Sequence, residues 1–183
     1  SREPWTKAEL DVLTKLRTPG DIQAFLDGLP YSADPFYRCP RRVLADRKAH
    51  CFDGAVLAAA ALAHLGHAPL LIDLRAVRDD DHILAVFRSG SGLGALGKSN
   101  FVGLRYREPI HRTLRELVLT YFEAYYNVDG EKTLRSYSRL VDLGHPEAPG
   151  WRTDDAAMEV IATRLDAATH YPLLTRPAER ALG

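Results

Sequence analysis

The chain contains one stretch in which apolar residues are almost continuous, followed by two segments in which apolar and polar residues partly alternate. From Cys51 to Leu65 the sequence reads CFDGAVLAAAALAHL, and Gly66 follows. Alanine and leucine are strong helix formers and glycine is common just after a helix end, so this stretch predicts a buried helix. Residues 70–77 and 82–87 predict two strands, which the polar turn 78–81 joins.

Helices are also predicted on both sides of this region, and the predicted strands cluster between them. Capping signals and apolar spacing predict helices that start at Thr6 and Thr18, a turn or two of helix at 41–48, and helices over 113–126 and 154–168. Other segments are predicted as strand (93–98 and 134–143), as extended chain that Pro109 breaks (100–107), and as a surface tail (from Thr169). Helices, then clustered strands, then helices favour an α+β fold with an antiparallel sheet. No repeat or linker divides the chain, so residues 1–183 are predicted to form one domain with a core at about 41–143.

Cys51 stands at the predicted start of the buried helix. The unpaired N–H groups and the dipole of a helix N-terminus stabilise a thiolate, which is the reactive form of cysteine. Arg47, Lys48 and His50 add positive charge close by, although the position of His50 favours a local role over that of a base. The alternative is that Cys51 is a small buried core residue. Cys39, in a proline-flanked loop, is predicted to be an ordinary thiol.

A helix that begins with Cys51, then a strand, then a strand that begins with His82 resembles the transglutaminase-like branch of the papain-like cysteine enzymes. The resemblance covers roughly residues 41–105. It implies that Cys51 is a nucleophile, that His82 is its base, and that the backbone N–H of Cys51 helps to bind an oxyanion. The Asp that this family carries on the next strand has no obvious counterpart here. Asn100 is the nearest residue able to accept a hydrogen bond from the imidazole, and the alternative is that Asn100 caps a turn.

These residues predict cysteine-dependent acyl chemistry on an amide or ester bond of a peptide, a protein or a small molecule. The reaction would pass through a thioester on Cys51. Hydrolysis and transfer to an amine share the first half of this reaction, so the sequence does not separate them. The rival prediction is a protein-binding module that keeps the transglutaminase-like fold without activity, because the family's Asp is missing.

Charge and composition exclude several other classes. The chain has 24 Lys and Arg and 24 Asp and Glu, so its formal net charge is zero, which argues against nucleic acid or an anionic membrane as partner. No apolar run reaches the length of a transmembrane helix, and the first residues lack the apolar core of a signal peptide. Two cysteines do not make a disulfide framework, and we expect a reduced, cytoplasmic chain. Its oligomeric state is not predicted.

Two further motifs are interpreted as coincidental. Residues 92–99 match the phosphate-binding pattern G-x-x-x-x-G-K-S, but the residues after Ser99 do not predict the helix that such a loop requires, so we expect no nucleotide cofactor. Asp79 to Asp81 are adjacent on one turn and the other histidines lack ligand spacing, so we expect no metal. Lys98, Arg105 and Arg107 could bind a substrate anion, but the favoured interpretation is that they are exposed charges on a strand.

Overall fold

The computed structural model describes residues 4–183, which form one seven-stranded antiparallel sheet and seven α-helices. The helices are α1 (Lys7–Leu13), α2 (Pro19–Asp27), α3 (Pro40–Asp46), α4 (Cys51–His64), α5 (Leu114–Leu119), α6 (Ala156–Ala167) and α7 (Arg176–Leu182). The strands are β1 (Leu70–Ala76), β2 (His82–Ser89), β3 (Gly92–Leu96), β4 (Arg107–His111), β5 (Leu134–Ser138), β6 (Val141–Asp142) and β7 (His170–Pro172). The predicted α+β class with an antiparallel sheet is confirmed.

The sheet separates two apolar clusters. Its strands run in the order β4-β3-β2-β1-β5-β7, and β6 also pairs with β1. Ile83, Ala85 and Phe87 of β2 belong to the cluster that contains α4, whereas Leu84 and Val86 belong to the cluster that contains α5. This alternation is the period of two that a strand buried on both faces requires.

Helix α4 is buried along almost its whole length and packs on β1 and β2. Its N-terminal residue is Cys51, as predicted, and its N-cap is His50, whose ring accepts a hydrogen bond from the N–H of Asp53. Small residues let this helix approach its neighbours closely. A Cβ added at Gly54 would lie 2.3 Å from the Cβ of Lys98, so no larger residue fits between α4 and the chain that leaves β3.

Three predictions about the chain between β3 and β5 are wrong. Residues 102–104 form a short 3₁₀ helix instead of extended chain. Strand β4 runs through Pro109, which an edge strand tolerates because one row of its N–H groups has no partner strand. Helix α5 ends at Leu119 rather than at 126, and the tyrosines beyond it turn inward, where the hydroxyl groups of Tyr121 and Tyr125 donate to backbone carbonyls.

The C-terminal third also differs in detail from its prediction. The predicted strand 134–143 is divided into β5 and β6, and α6 begins at Ala156 with Asp155 as its N-cap rather than Thr153. The predicted surface tail instead contributes β7, which pairs with β5 at the sheet edge, and the exposed α7. A strand of three residues has too few positions for an alternating pattern to identify it.

No helix within residues 4–183 combines the length and the apolar character needed to cross a membrane. Among the same described residues, no group of three or more His, Cys, Asp or Glu side chains is arranged to hold a metal ion.

Candidate active site

A cavity of about 1020 Å³ lies where the start of α4 meets the starts of β2 and of the chain that follows β3. All three residues of the predicted site line it: Cys51, His82 and Asn100. Residues from four other parts of the chain complete the lining, among them Tyr31, Asp73, Tyr125, Val128 and Asp166. The fold therefore brings the predicted residues to one concave site.

The sulfur of Cys51 has three hydrogen-bonding neighbours. They are the backbone N–H of Ile83, the residue next to His82, the hydroxyl of Tyr31 and the backbone N–H of Phe52. The Tyr31 hydroxyl also accepts from the backbone N–H of Cys51. The side chain of Cys51 is partly buried, so the thiol is reached from the cavity and not from open solvent.

The expectation that positive charge favours the Cys51 thiolate is wrong. Burial raises the pKa of this thiol above its usual value, although the hydrogen bonds from Ile83 and Tyr31 act in the opposite direction. The predicted cations are engaged elsewhere: Lys48 pairs with Asp34 at 2.8 Å, and Arg47 stacks over the ring of Phe25. Because burial lowers the pKa of His50, that ring adds no charge either.

His82 is buried and neutral. Burial lowers its pKa to about 4. Its Nε2 lies 2.8 Å from the carbonyl oxygen of Leu104, so Nε2–H is the donor and Nδ1 keeps the lone pair of the neutral ring. His82 therefore has the protonation state and the tautomer that a general base needs.

A layer of contacts behind His82 holds this hydrogen bond in place. A Cβ added at Gly97 would lie 3.2 Å from Nε2 of His82 and 3.0 Å from the oxygen of Leu104, so the chain passes directly beside their bond. The buried side chain of Gln23 accepts from the N–H of Gly97 at 3.0 Å and donates to its carbonyl at 2.8 Å. Helix α2 thus positions Gly97, and Gly97 leaves just enough room for the imidazole.

Asn100 does not make the contact predicted for it. The Leu104 carbonyl holds Nε2 of His82, and Asn100 is an exposed residue of the cavity wall. A backbone carbonyl can fix a histidine tautomer as well as an amide oxygen can, and it has no signature in the sequence. The catalytic role assigned to Asn100 stays a prediction.

The three cations near the cavity have structural partners. The amine of buried Lys98 donates to the carbonyls of Leu26 and Leu29 at the end of α2. Arg105 donates to the carbonyl of Ser99 at 2.9 Å, and Arg107 stacks 3.9 Å from the centroid of the Tyr121 ring. The Lys98 side chain, which completes the apparent phosphate-binding pattern, therefore closes a helix end rather than facing a ligand.

A buried acidic residue secures the start of α4. Asp53 is completely buried and accepts from the backbone N–H of Arg38 at 2.8 Å. Burial raises the pKa of Asp53 to about 6. The buried Arg38 guanidinium pairs with Asp34 and Asp46 and donates to the hydroxyl of Ser32 at 3.0 Å. These contacts tie the segment before α3 to the first turn of α4, where Cys51 lies.

A second titratable pair lies on the cavity wall contributed by β1. Asp73 sits opposite Ile83 in the sheet and is 2% exposed. Its carboxylate lies 2.8 Å from Nε2 of His170, whose Nδ1 lies 2.7 Å from the carbonyl of Ala168. Burial raises the pKa of Asp73, while the His170 contact acts against that rise. This pair joins β7 to the centre of the sheet.

Several residues of the site escaped the sequence analysis. Tyr31, Asp73 and His170 come from segments predicted only as loop, strand and tail, and no motif connects them to Cys51. Two further residues have weak signals in the sequence. Gly97 is a glycine directly after a buried strand, and Gln23 is a polar residue on the apolar side of α2.

No protein-family model matches the sequence, and no curated protein matches it. Two solved structures of LapG from Legionella pneumophila, one of them EGTA-treated, each share 14% sequence identity with the chain. Both superpositions cover 84% of this chain and 86% of LapG, with TM-scores of 0.47 for the EGTA-treated structure and 0.48 for the other.

Proposed function

We propose that the chain is a cysteine-dependent enzyme of the transglutaminase-like type that acts on an amide or ester bond. Cys51 is its nucleophile and His82 is its general base. The observation that carries the proposal is the contact at the start of β2: the Cys51 sulfur accepts from the N–H of Ile83, which follows a neutral His82 whose Nε2 is held at 2.8 Å by Leu104.

The reaction starts from a neutral thiol and a neutral imidazole. Since burial disfavours the charged form of each, the proton leaves Cys51 as the sulfur attacks the substrate carbonyl, and Nδ1 of His82 receives it. The C–S bond forms and the carbonyl π electrons move to oxygen. When the tetrahedral intermediate collapses, His82 returns the proton to the leaving amine or alcohol, and a thioester remains on Cys51.

The second half of the reaction frees the thiol. Water or an amine attacks the thioester, His82 accepts the proton of the attacking group, and the C–S bond breaks as that proton passes to the departing sulfur. The start of α4 contributes in both halves, because the backbone N–H of Cys51 donates to the oxyanion once the substrate oxygen takes the place of the Tyr31 hydroxyl.

The shape of the site favours a peptide or protein substrate. Phe101, Tyr126 and Val128 line the cavity and are 62%, 52% and 102% exposed, so large apolar side chains of the cavity that holds the thiol are left uncovered. Exposed apolar side chains that rim a polar cleft are typical of a surface that binds another chain. The same rim supports the rival function, a protein-binding module without catalysis.

The two functions separate in a test with a simple ester. Wild-type protein mixed with p-nitrophenyl acetate should release a burst of p-nitrophenolate equal to the protein concentration as Cys51 is acetylated. Cys51→Ala should abolish the burst, His82→Gln should slow it about 10²-fold or more, and Cys39→Ala should leave it intact. A wild-type protein without a Cys51-dependent burst would contradict the enzymatic function and favour the binding module.

A further inference from the structure

The hydroxyl of Tyr31 lies beside the reacting atoms although Tyr31 is distant from Cys51 in sequence. Its oxygen accepts from the backbone N–H of Cys51, and its proton is shared with the Cys51 sulfur. The hydroxyl therefore lies next to both atoms that a substrate carbonyl must approach: the sulfur that attacks the carbon and the N–H that receives the oxygen.

The backbone fixes this placement. Tyr31 forms a parallel β-bridge with Ala49, two residues before Cys51. Ser32 donates to the carbonyl of Ala49 at 3.0 Å, and Ala49 donates to the carbonyl of Pro30 at 3.3 Å. The amine of Lys98 holds the carbonyl of Leu29 on the other side. The loop that carries Tyr31 is thus tied both to the approach of α4 and to the chain that leaves β3.

The chemistry of attack changes what this hydroxyl faces. In the resting site its proton points to sulfur, which is a weak acceptor. When the C–S bond forms, the sulfur becomes a thioether and negative charge develops on the former carbonyl oxygen. A hydrogen bond to an oxyanion is much stronger than one to sulfur, so the contact stabilises the transition state more than the ground state.

We infer that Tyr31 is a catalytic residue of the proposed reaction, whose hydroxyl donates to the oxyanion together with the backbone N–H of Cys51. The ring is 41% exposed, so the hydroxyl can move aside from the N–H as the substrate oxygen enters. Because desolvation raises the pKa of Tyr31 to about 12, the hydroxyl keeps its proton at neutral pH and acts as a donor. This inference rests on the proposed function.

Two reactions of the same thiol test the inference. Acetylation by p-nitrophenyl acetate passes through an oxyanion, whereas alkylation by iodoacetamide is a direct displacement at carbon that forms none. Tyr31→Phe should slow the burst about 10²-fold, the usual effect of removing one oxyanion donor, and slow the alkylation of Cys51 far less, since the thiol loses only one hydrogen bond that lowers its pKa. The matched control is Tyr171→Phe, at an exposed tyrosine that does not line the cavity, which should change neither rate.

The other outcomes overturn the inference. An equal loss in both reactions would mean that Tyr31 only supports the thiol, and an unchanged burst would mean that it gives no stabilisation. A faster burst in Tyr31→Phe would show that the hydroxyl blocks the site. If the wild-type protein shows no Cys51-dependent burst while Cys51 is still alkylated, the proposed function itself fails, and the catalytic role of Tyr31 falls with it.

Discussion

Cys39 and Cys51 each stand at the start of a helix, and the two helix starts differ in what surrounds the sulfur. Cys39 is the N-cap of α3 and lies in the apolar core, 2% exposed, where the carboxylate of Asp155 accepts from its backbone N–H at 2.9 Å. Cys51 is the first residue of α4 and faces a cavity that also contains His82 and Tyr31. A helix N-terminus alone therefore does not distinguish a reactive thiol.

The ionisation of the two thiols does not distinguish them either. Burial raises the pKa of Cys39 to about 11, and burial also raises the pKa of Cys51. The difference is that Cys51 lines a cavity open to a ligand, which the neutral imidazole of His82 also lines. In this protein a catalytic thiol would depend on its partners at the moment of reaction rather than on a thiolate formed in advance.

The largest expected effect separates the two thiols directly. Limiting iodoacetamide at pH 8, followed by peptide mass mapping, should label Cys51 and leave Cys39 unlabelled, because Cys39 is buried in the core and keeps its proton. Cys51→Ala should remove all rapid labelling, and Cys39→Ala should retain it. Equal labelling of both cysteines, or faster labelling of Cys39, would show that the comparison is wrong.

Gly97→Ala should damage the site without touching Cys51. The new methyl group would lie 2.6 Å from Leu84, 3.0 Å from the oxygen of Leu104 and 3.2 Å from Nε2 of His82, so the imidazole must move. We expect the p-nitrophenyl acetate burst to slow about 10²-fold. We also expect a loss of about 1–3 kcal/mol in the free energy of unfolding, from denaturant titration, because the site is overpacked.

A matched glycine controls for the substitution itself. Gly20 lies in the first turn of α2, where an added Cβ has its nearest neighbour at 3.6 Å, an ordinary contact. Gly20→Ala should leave both the burst and the stability close to those of the wild type. A burst in Gly97→Ala that is as fast as the wild type would show that the Leu104 contact does not matter to His82.

The pH dependence of alkylation should show which form of Cys51 is at rest. A thiol with a raised pKa has a smaller thiolate fraction at neutral pH than free cysteine, and that fraction grows about tenfold for each pH unit until the pKa is passed. The iodoacetamide rate of Cys51 should therefore keep rising to pH 9 and beyond. A plateau between pH 6 and 8 would indicate a thiolate–imidazolium pair and reverse the assignment of a neutral His82.

The smallest expected effect concerns Asn100. Because the Leu104 carbonyl already holds Nε2 of His82, Asn100→Ala should slow the burst only about twofold to threefold, and Asn100→Asp should not accelerate it. The pre-steady-state rate of p-nitrophenolate release in the two variants measures this. A loss as large as that in Gly97→Ala would return to Asn100 the orienting role that the sequence suggested.

Local sequence patterns correctly predicted the helices and strands that are determined by residues close together in the sequence. The capping residues Thr6 and Thr18, the alanine run of α4 and the alternation in β1 and β2 all indicated elements that the structure contains. The errors occurred where strand pairing between distant segments determines the structure. Strand β4 continues through Pro109 because it lies at the sheet edge, and β7 forms because it can pair with the free edge of β5.

The residues of the site were predicted or missed for the same reasons. Cys51 and His82 were predicted because each begins an element that the local pattern reveals. The carbonyl of Leu104 could not be predicted, since every residue carries a carbonyl and only the 3₁₀ turn at 102–104 aims this one. Tyr31 was missed because only a single β-bridge places it beside the start of α4, and that bridge joins two segments without regular structure.

The link between Asp73 and His170 has a consequence for how the site is assembled during folding. It joins two residues 97 positions apart, and β7 reaches β1 only across β5, which lies between them in the sheet. Contacts of such long sequence separation form late, because the chain must lose much of its freedom before they can form. During synthesis, this wall of the cavity therefore cannot close until His170 has left the ribosome. The thiol on α4, which precedes all of these strands, is then synthesised well before its site is complete.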